Sequence, residues 1–174
     1  MLEPLIRRGR PADAERIAAI WQAGVNLAAE MHAAETEDPL TYFRSRLENN
    51  PEGLGYWVLE VKGRIVGWQS LLPFYPNPLE WRYLAISSTY AERRCGVPEA
   101  GSKLVSHAVE EARHAGVAQL FAFIVGQNRA SVRMAKRTGW HQCGTVPVRF
   151  RGPVRMEMQL FVLTFPDTED LPSS

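Results

Sequence analysis

The sequence contains little cysteine, no long apolar run and no excess of charge of either sign. Its two cysteines, Cys95 and Cys143, belong to no CxxC or His/Cys group, which argues against a zinc site and a disulfide framework. No stretch approaches the about 20 consecutive apolar residues that a membrane-spanning helix needs. The opening residues, MLEPLIRRGRP, lack the apolar segment of a secretory signal peptide. We therefore expect a cytoplasmic protein with no membrane partner and no metal.

The charge balance also bears on the partner. The 20 lysines and arginines against 19 aspartates and glutamates give a net charge of +1, which provides no reason to expect a nucleic acid partner. The 174 residues are enough to bury the core of one domain. We expect a single domain over residues 1–166, followed by an acidic tail at 167–174.

Hydrophobic periodicity predicts alternating helices and strands along the chain. Strands are predicted at 5–8, 56–61, 64–68, 81–86, 120–125, 140–148 and 154–163, and helices at 14–28, 40–48, 97–112 and 128–138. Lys62 and Gly63 are expected to form the turn of a hairpin, and the stretch from Pro73 to Pro78 a loop. The continuous apolar run at 120–125 predicts a strand that is buried on both faces and parallel to a neighbour. The order of elements indicates a mixed α+β sheet domain.

A basic segment with two glycines, residues 93–102, follows the fourth predicted strand and leads into a long predicted helix. Glycines allow backbone N–H groups to approach phosphates, and a helix start adds the positive end of its dipole. Three interpretations stay open. A phosphate loop is centred on Gly96, or it is displaced to Gly101 and Ser102 because Pro98 has no N–H to donate, or Pro98 simply opens an ordinary helix.

A second motif, residues 128–140, reads NRASVRMAKRTGW. Together with residues 93–102 and the element order over nearly the whole chain, it resembles the GNAT acyltransferase superfamily. In that family Arg/Gln-x-x-Gly-x-Gly/Ala follows the fourth strand, and an asparagine begins a later short helix. From the residues alone, Asn128 also fits a plain helix N-cap. A looser similarity to phosphinothricin-type acetyltransferases rests on residues 131–133 and 143–145.

The resemblance implies a mostly antiparallel, twisted sheet flanked by helices, whose fourth and fifth strands splay to admit acetyl-coenzyme A (acetyl-CoA) as co-substrate. The cofactor-binding residues that it implies are Leu84, Ile86, Arg93, Arg94, Gly96, Val97, Gly101, Ser102, Asn128 and Ser131. It further implies direct transfer of an acetyl group to the primary amine of a small molecule or an amino acid. A homodimer is the assembly that it implies.

The catalytic residues are marked less clearly by the sequence. Members of the family often use a carboxylate on the fourth strand as the base, and Glu80 is the nearest candidate, although it lies one residue off the expected face. A solvated carboxylate at the strand edge is the alternative interpretation of Glu80. The family's tyrosine or histidine acid is replaced by Ala135, which has no proton to donate. Tyr83, Tyr90 and His141 are substitutes, of which Tyr83 is the candidate that we carry forward.

A second hypothesis therefore stands beside the enzyme. Ala135 and Pro98 favour a catalytically silent acyl-CoA-binding or regulatory module with the same fold. The acidic segment at 32–38 favours an enzyme, because its negative charges suit a cationic amine, although an exposed, solvated turn has the same composition.

Overall fold

The computed structural model describes residues 4–29, 38–50, 54–74, 83–149 and 155–166. The elements are β1 (Leu5–Arg8), α1 (Ala14–Ala29), α2 (Pro39–Glu48), β2 (Gly55–Val61), β3 (Arg64–Pro73), β4 (Leu84–Ala91), α3 (Ala100–His114), β5 (Gln119–Val125), α4 (Arg129–Arg137), β6 (His141–Arg149) and β7 (Arg155–Thr164). Their order is the predicted one, with a short 3-10 turn before α1. The acidic tail at 167–174 and most of the acidic segment at 32–38 lie outside the described residues.

The strands form one seven-stranded sheet in the order β1-β2-β3-β4-β5-β7-β6. Five neighbouring pairs are antiparallel, and β4 and β5 are parallel. The α3 crossover separates those two strands in sequence, as a parallel pair requires. The predicted mixed, mostly antiparallel α+β fold is confirmed.

Helices cover the sheet on both faces because alternate strand residues point to opposite sides. Ile17 of α1 and Phe43 of α2 pack on one face with Trp68. Val105 of α3 and Ala135 of α4 belong to the core on the other face. Within the described ranges, no helix combines the length and the apolar character needed to cross a membrane.

Two strands are longer than the sequence predicted. The loop expected to begin at Pro73 is wrong there, because Pro73 is the last residue of β3 and pairs with Ala85. An N–H at position 73 would point towards β2. The pairing of β2 with β3 already ends at Leu71, so the proline costs no hydrogen bond between the two strands. Strand β4 likewise continues to Ala91. The polar residues after Ile86 disguised this continuation.

The expectation that β5 is buried on both faces is wrong. Leu120 is fully buried, whereas Phe123 on the opposite face is 40% exposed. Helices α3 and α4 pack on the Leu120 face, and the residues next to Phe123 along the strand are only half-buried. The two cysteines also differ in burial, since Cys95 is half-buried and Cys143 is exposed.

Candidate active site

The parallel strands β4 and β5 stay together over a short distance only. Their register joins Leu84 to Gln119, Ala85 to Leu120 and Ile86 to Phe121, and it ends there. Beyond this row β4 continues against β3 and β5 continues against β7. The predicted splay of the two strands is confirmed, and we call the space that it opens the β4/β5 gap.

The peptide groups of alternate β4 residues face the β4/β5 gap. The Phe74 N–H donates to the Leu84 carbonyl at 3.0 Å, and the Glu92 N–H donates to the Val66 carbonyl at 2.9 Å. In an antiparallel ladder these bonds recur at every second residue, so even-numbered β4 residues direct their peptide groups to β3. The odd-numbered ones therefore direct theirs to the other edge. Past the last pair with β5, these residues are Thr89, Ala91 and Ser87, of which Ser87 offers its carbonyl, because its N–H is directed to the Phe121 carbonyl in the last paired row.

The cofactor positions proposed at Leu84 and Ile86 border the gap in a different way. Their peptide groups are used by β3, and their half-buried side chains lie on the α1 and α2 face of the sheet. Sequence reasoning missed Ser87 and Thr89, whose peptide groups are the ones that face the gap. Which β4 peptide groups face the gap follows from the register between β3 and β4, and the sequence alone does not give that register.

The loop after β4 leads to an uncapped helix start. Helix α3 begins at Ala100, and Glu99 precedes it in the left-handed region without a side-chain cap. The Lys103 N–H is bonded to the Glu99 carbonyl at 3.0 Å, so the N–H groups of Ala100, Gly101 and Ser102 have no acceptor within the helix. The interpretation in which Pro98 opens the helix is wrong.

Gly96 and Gly101 play different conformational roles in this segment. Gly96 has φ of 76°, where a side chain is strained, and a Cβ there would meet nothing within 4 Å. Gly101 is an ordinary helical residue, and a Cβ there would lie 3.5 Å from the Met134 sulfur. The chain therefore needs glycine at 96 to make the turn, whereas Gly101 brings an open N–H at the helix start.

An ion-pair cluster fixes the beginning of the same loop. Arg64 donates to the Glu92 carboxylate at 2.8 Å, and Arg16 of α1 contacts the other carboxylate oxygen. Arg16 also donates to the Ile65 carbonyl at 2.9 Å. Two guanidinium groups thus neutralise Glu92. The next two residues, Arg93 and Arg94, are exposed and free to meet an anion. Val97, further along, is half-buried and packs towards the core.

Asn128 is the N-cap of α4. Its side-chain oxygen accepts a hydrogen bond from the Ser131 N–H at 3.2 Å, so the plain capping role exists in the structure. Two residues separate Asn128 from the end of β5, which places the start of α4 at the same end of the sheet as the β4/β5 gap. Asn128 and Ser131 are thus brought to the site as one unit.

The structure separates the candidate proton-transfer groups. Ala135 is buried in the core at 5% exposure. Tyr90 is half-buried and stacks on Trp68 with ring centroids 4.8 Å apart. Burial raises the pKa of Tyr90 more than the Trp21 indole N–H, which donates towards its oxygen, lowers it, so the Tyr90 hydroxyl is a poor acid.

The remaining candidates lie at different distances from the gap. Tyr83 is 53% exposed and stands at the start of β4, where its carbonyl accepts from the Ala118 N–H at 2.9 Å. His141 pairs with Val162, which pairs with Phe121, so it lies two strands from β5, or about 10 Å. Glu80 lies outside the described residues. Tyr83 directly precedes β4, and the paired row Leu84 to Ile86 separates it from the gap.

Comparison with known proteins gives this geometry a context. The profile described as the acetyltransferase (GNAT) family matches residues 21–140. A curated relative of Bacillus subtilis strain 168, named "Putative phosphinothricin acetyltransferase YwnH", is 28% identical over 147 residues, or 82% of this chain and 86% of its own length.

Solved structures share the architecture. A ribosomal-protein-alanine N-acetyltransferase from Brucella melitensis matches with a TM-score of 0.81 and 28% identity, over 92% of this chain and 99% of its own. A GNAT superfamily phosphinothricin acetyltransferase from Sinorhizobium meliloti, solved in complex with AcCoA, matches with a TM-score of 0.78 over 98% and 93%. Its identity is 20%, so it speaks for the fold alone. Since the family profile spans more than half of the sequence, the chain belongs to the acetyltransferase (GNAT) family.

Proposed function

We propose that this protein is an N-acetyltransferase that moves the acetyl group of acetyl-CoA directly to the primary amine of a small molecule or an amino acid. The observation that carries the proposal is the β4/β5 gap, bordered by the peptide groups of Ser87, Thr89 and Ala91. A cytoplasmic location and a homodimeric assembly stay predictions.

The gap fits the pantetheine arm of acetyl-CoA. That arm contains two amide groups in an extended chain, and an extended chain pairs with an exposed strand edge through main-chain hydrogen bonds. The edge formed by Ser87, Thr89 and Ala91 offers N–H and C=O groups in alternation. An arm bound there enters from the carboxyl ends of β4 and β5 and ends near Ile86, where the two strands meet.

The start of α3 fits the diphosphate. The N–H groups of Ala100, Gly101 and Ser102 lack acceptors within the helix, and the helix dipole adds partial positive charge at that end. We assign the diphosphate to this helix start, with Gly96 making the turn that leads to it. Arg93 and Arg94 are exposed and supply the full positive charges.

Acetyl-CoA supplies an acyl group that is activated as a thioester. The chain's own part is to hold that group at Ile86 and to handle two protons, one leaving the amine and one reaching the thiolate. Tyr83 lies directly before β4, three residues from Ile86, and we propose it as the acid. Glu80 stays the proposed base. Since general acid–base assistance contributes about 10²- to 10⁴-fold, the loss of an acid at Ala135 slows transfer without abolishing it.

One observation favours the alternative function, a silent acyl-CoA-binding module. Ala135 is packed into the core, so its position is built for structure and not for proton transfer. The two functions share the bound ligand and differ only in turnover.

A thiol-release assay over a panel of primary amines separates the two. We expect release of coenzyme A that depends on both acetyl-CoA and the amine. The double variant Arg93→Ala, Arg94→Ala should weaken acetyl-CoA binding while leaving acetyl-pantetheine, which lacks the diphosphate, unaffected. Acetyl-CoA binding without release for any amine would identify the silent module. Equal losses for both thioesters would contradict the role of the two arginines.

A further inference from the structure

A groove of about 390 Å³ lies between α2 and the β2–β3 pair, on the sheet face opposite α3. We call it the α2 groove. It is lined by Tyr42, Ser45 and Arg46 of α2, by Asn49 directly after α2, by Tyr56 of β2, and by Leu72 and Pro73 of β3. The sequence proposed none of these residues for a site, because they are spread over three elements and belong to no motif.

The polar groups of the α2 groove suit an anion. The Arg46 guanidinium lies over the Tyr42 ring, 5.3 Å from its centroid. In the part of the chain that the structure describes, Arg46 forms no salt bridge. A guanidinium with donors to spare binds a carboxylate with two parallel hydrogen bonds. The positive charge of the groove is thus available to a ligand.

Tyr56 adds a neutral donor beside this charge. Burial and the neighbouring Tyr42 raise the pKa of Tyr56, and Arg46 opposes them. The net effect is upward, so the phenol keeps its proton at neutral pH and can donate to an anion. Leu72 and Pro73 supply apolar surface at the floor. A carboxylate attached to an aliphatic chain matches these surfaces together.

The floor of the α2 groove adjoins the end of the β4/β5 gap. Leu72 pairs with Ile86, and Ile86 belongs to the last row in which β4 and β5 are joined. The centre of the gap is one and a half strand spacings from β3, or about 7 Å. The gap thus begins about 7 Å beyond the floor at Leu72, so a ligand whose acid is held by Arg46 and Tyr56 needs several methylenes across Leu72 to bring a group to the thioester.

We propose that the α2 groove binds the carboxylate of the acetyl acceptor and that the acceptor is an ω-amino carboxylate, in which several methylenes separate the amine from the acid. This inference rests on the proposed acetyl transfer and names its substrate class. The anchoring pair is Arg46 and Tyr56. The aliphatic stem lies over Leu72, and the amine meets the acetyl group at Ile86.

Calorimetric titration with caproate tests the anchor without any chemistry, because caproate has the acid and the stem but no amine. We expect Arg46→Gln to weaken caproate binding about 10- to 100-fold, the usual range for a lost charge-assisted hydrogen bond. Tyr56→Phe should weaken it less. Arg44→Gln is the matched control, since Arg44 is an exposed arginine on the same helix that does not line the groove. No binding to the unaltered protein, or equal binding to Arg46→Gln, would overturn the proposal.

Acetylation of two matched amines tests the orientation. Hexylamine carries a methyl group where ε-aminocaproate carries its carboxylate. We expect the ratio of kcat/KM for ε-aminocaproate over hexylamine to fall about 10-fold or more in Arg46→Gln, mainly through KM, and to stay unchanged in Arg44→Gln. An unchanged ratio in Arg46→Gln refutes the substrate class. If neither amine is acetylated while caproate still titrates through Arg46, the proposed transfer fails and the carboxylate site stands.

Discussion

At Glu99 the backbone has φ of 55°, in the left-handed region that costs a side chain about 1 kcal/mol. Glycine carries no such cost, so Glu99→Gly should raise the free energy of unfolding by about 1 kcal/mol. Glu99→Ala removes the same carboxylate but keeps a Cβ, and it should bring no gain. Urea unfolding of the two variants beside the unaltered protein measures both effects. A gain in Glu99→Ala as large as in Glu99→Gly would assign the cost to the charge.

Asp13 links pH to stability through a partly buried ion pair. It accepts two hydrogen bonds from Arg7, at 2.8 and 3.0 Å, and one from the Arg10 N–H at 2.8 Å. Burial by itself raises the pKa of Asp13, but these hydrogen bonds and the charge of Arg7 outweigh it and bring the pKa below its ordinary value. A carboxyl group with a lowered pKa stabilises the fold at neutral pH. That contribution is lost as the pH falls below about 4, the pKa in the unfolded chain.

Asp13→Asn should therefore cost about 2 to 3 kcal/mol at pH 7, because among the described residues Arg7 then keeps Glu60 alone as an acidic partner. The difference from the unaltered protein should shrink as the pH is lowered through 4. Urea unfolding at several pH values measures it. Glu15→Gln, an exposed carboxylate in the first turn of α1, serves as the control and should change stability by about 0.5 kcal/mol or less. A difference that does not vary with pH would exclude the ionised carboxylate as its source.

The turn of the β2–β3 hairpin also holds a side-chain-bearing residue in the left-handed backbone region, which costs folding free energy. Its two-residue turn has φ of 52° at Lys62 and 74° at Gly63, the pattern of a type I′ turn. Asparagine tolerates the first of these positions far better than lysine. Lys62→Asn should stabilise the protein by about 0.5 to 1 kcal/mol, and Lys62→Val should destabilise it. Thermal unfolding followed by circular dichroism checks both, and a loss in Lys62→Asn would contradict the turn assignment.

The elements themselves were largely predictable because their signals are local. The hairpin turn at Lys62 and Gly63 and the end of α4, two residues before Gly139, follow from turn and capping residues. The ends of β3 and β4 could not be predicted, because the polar and proline residues there do not favour a strand. They are held in strands only by the pairing of β3 with β4. The same holds for the site. Its phosphate segment was visible in the sequence, but the peptide groups that face the gap depend on register, and the α2 groove depends on packing.

At the scale of the whole molecule, binding of the cofactor should raise the free energy of unfolding. A ligand that binds only the folded state stabilises it by about 2.7 kcal/mol when its concentration is 100 times the Kd. For a chain of this length that corresponds to a rise in Tm of about 5 to 10 °C. We expect this shift with acetyl-CoA and none with ATP or NAD, measured by differential scanning calorimetry. No shift at millimolar acetyl-CoA would overturn the assignment of the cofactor.

The edge of β4 that faces the gap presents main-chain atoms, which every amino acid carries. Recognition built on them places little demand on which side chains occupy residues 87 to 91, provided that the strand keeps its direction and pairing. Substitutions at those positions can therefore leave the hydrogen-bonding edge of the β4/β5 gap intact. Specificity for the second substrate can then change elsewhere in the chain without loss of this edge.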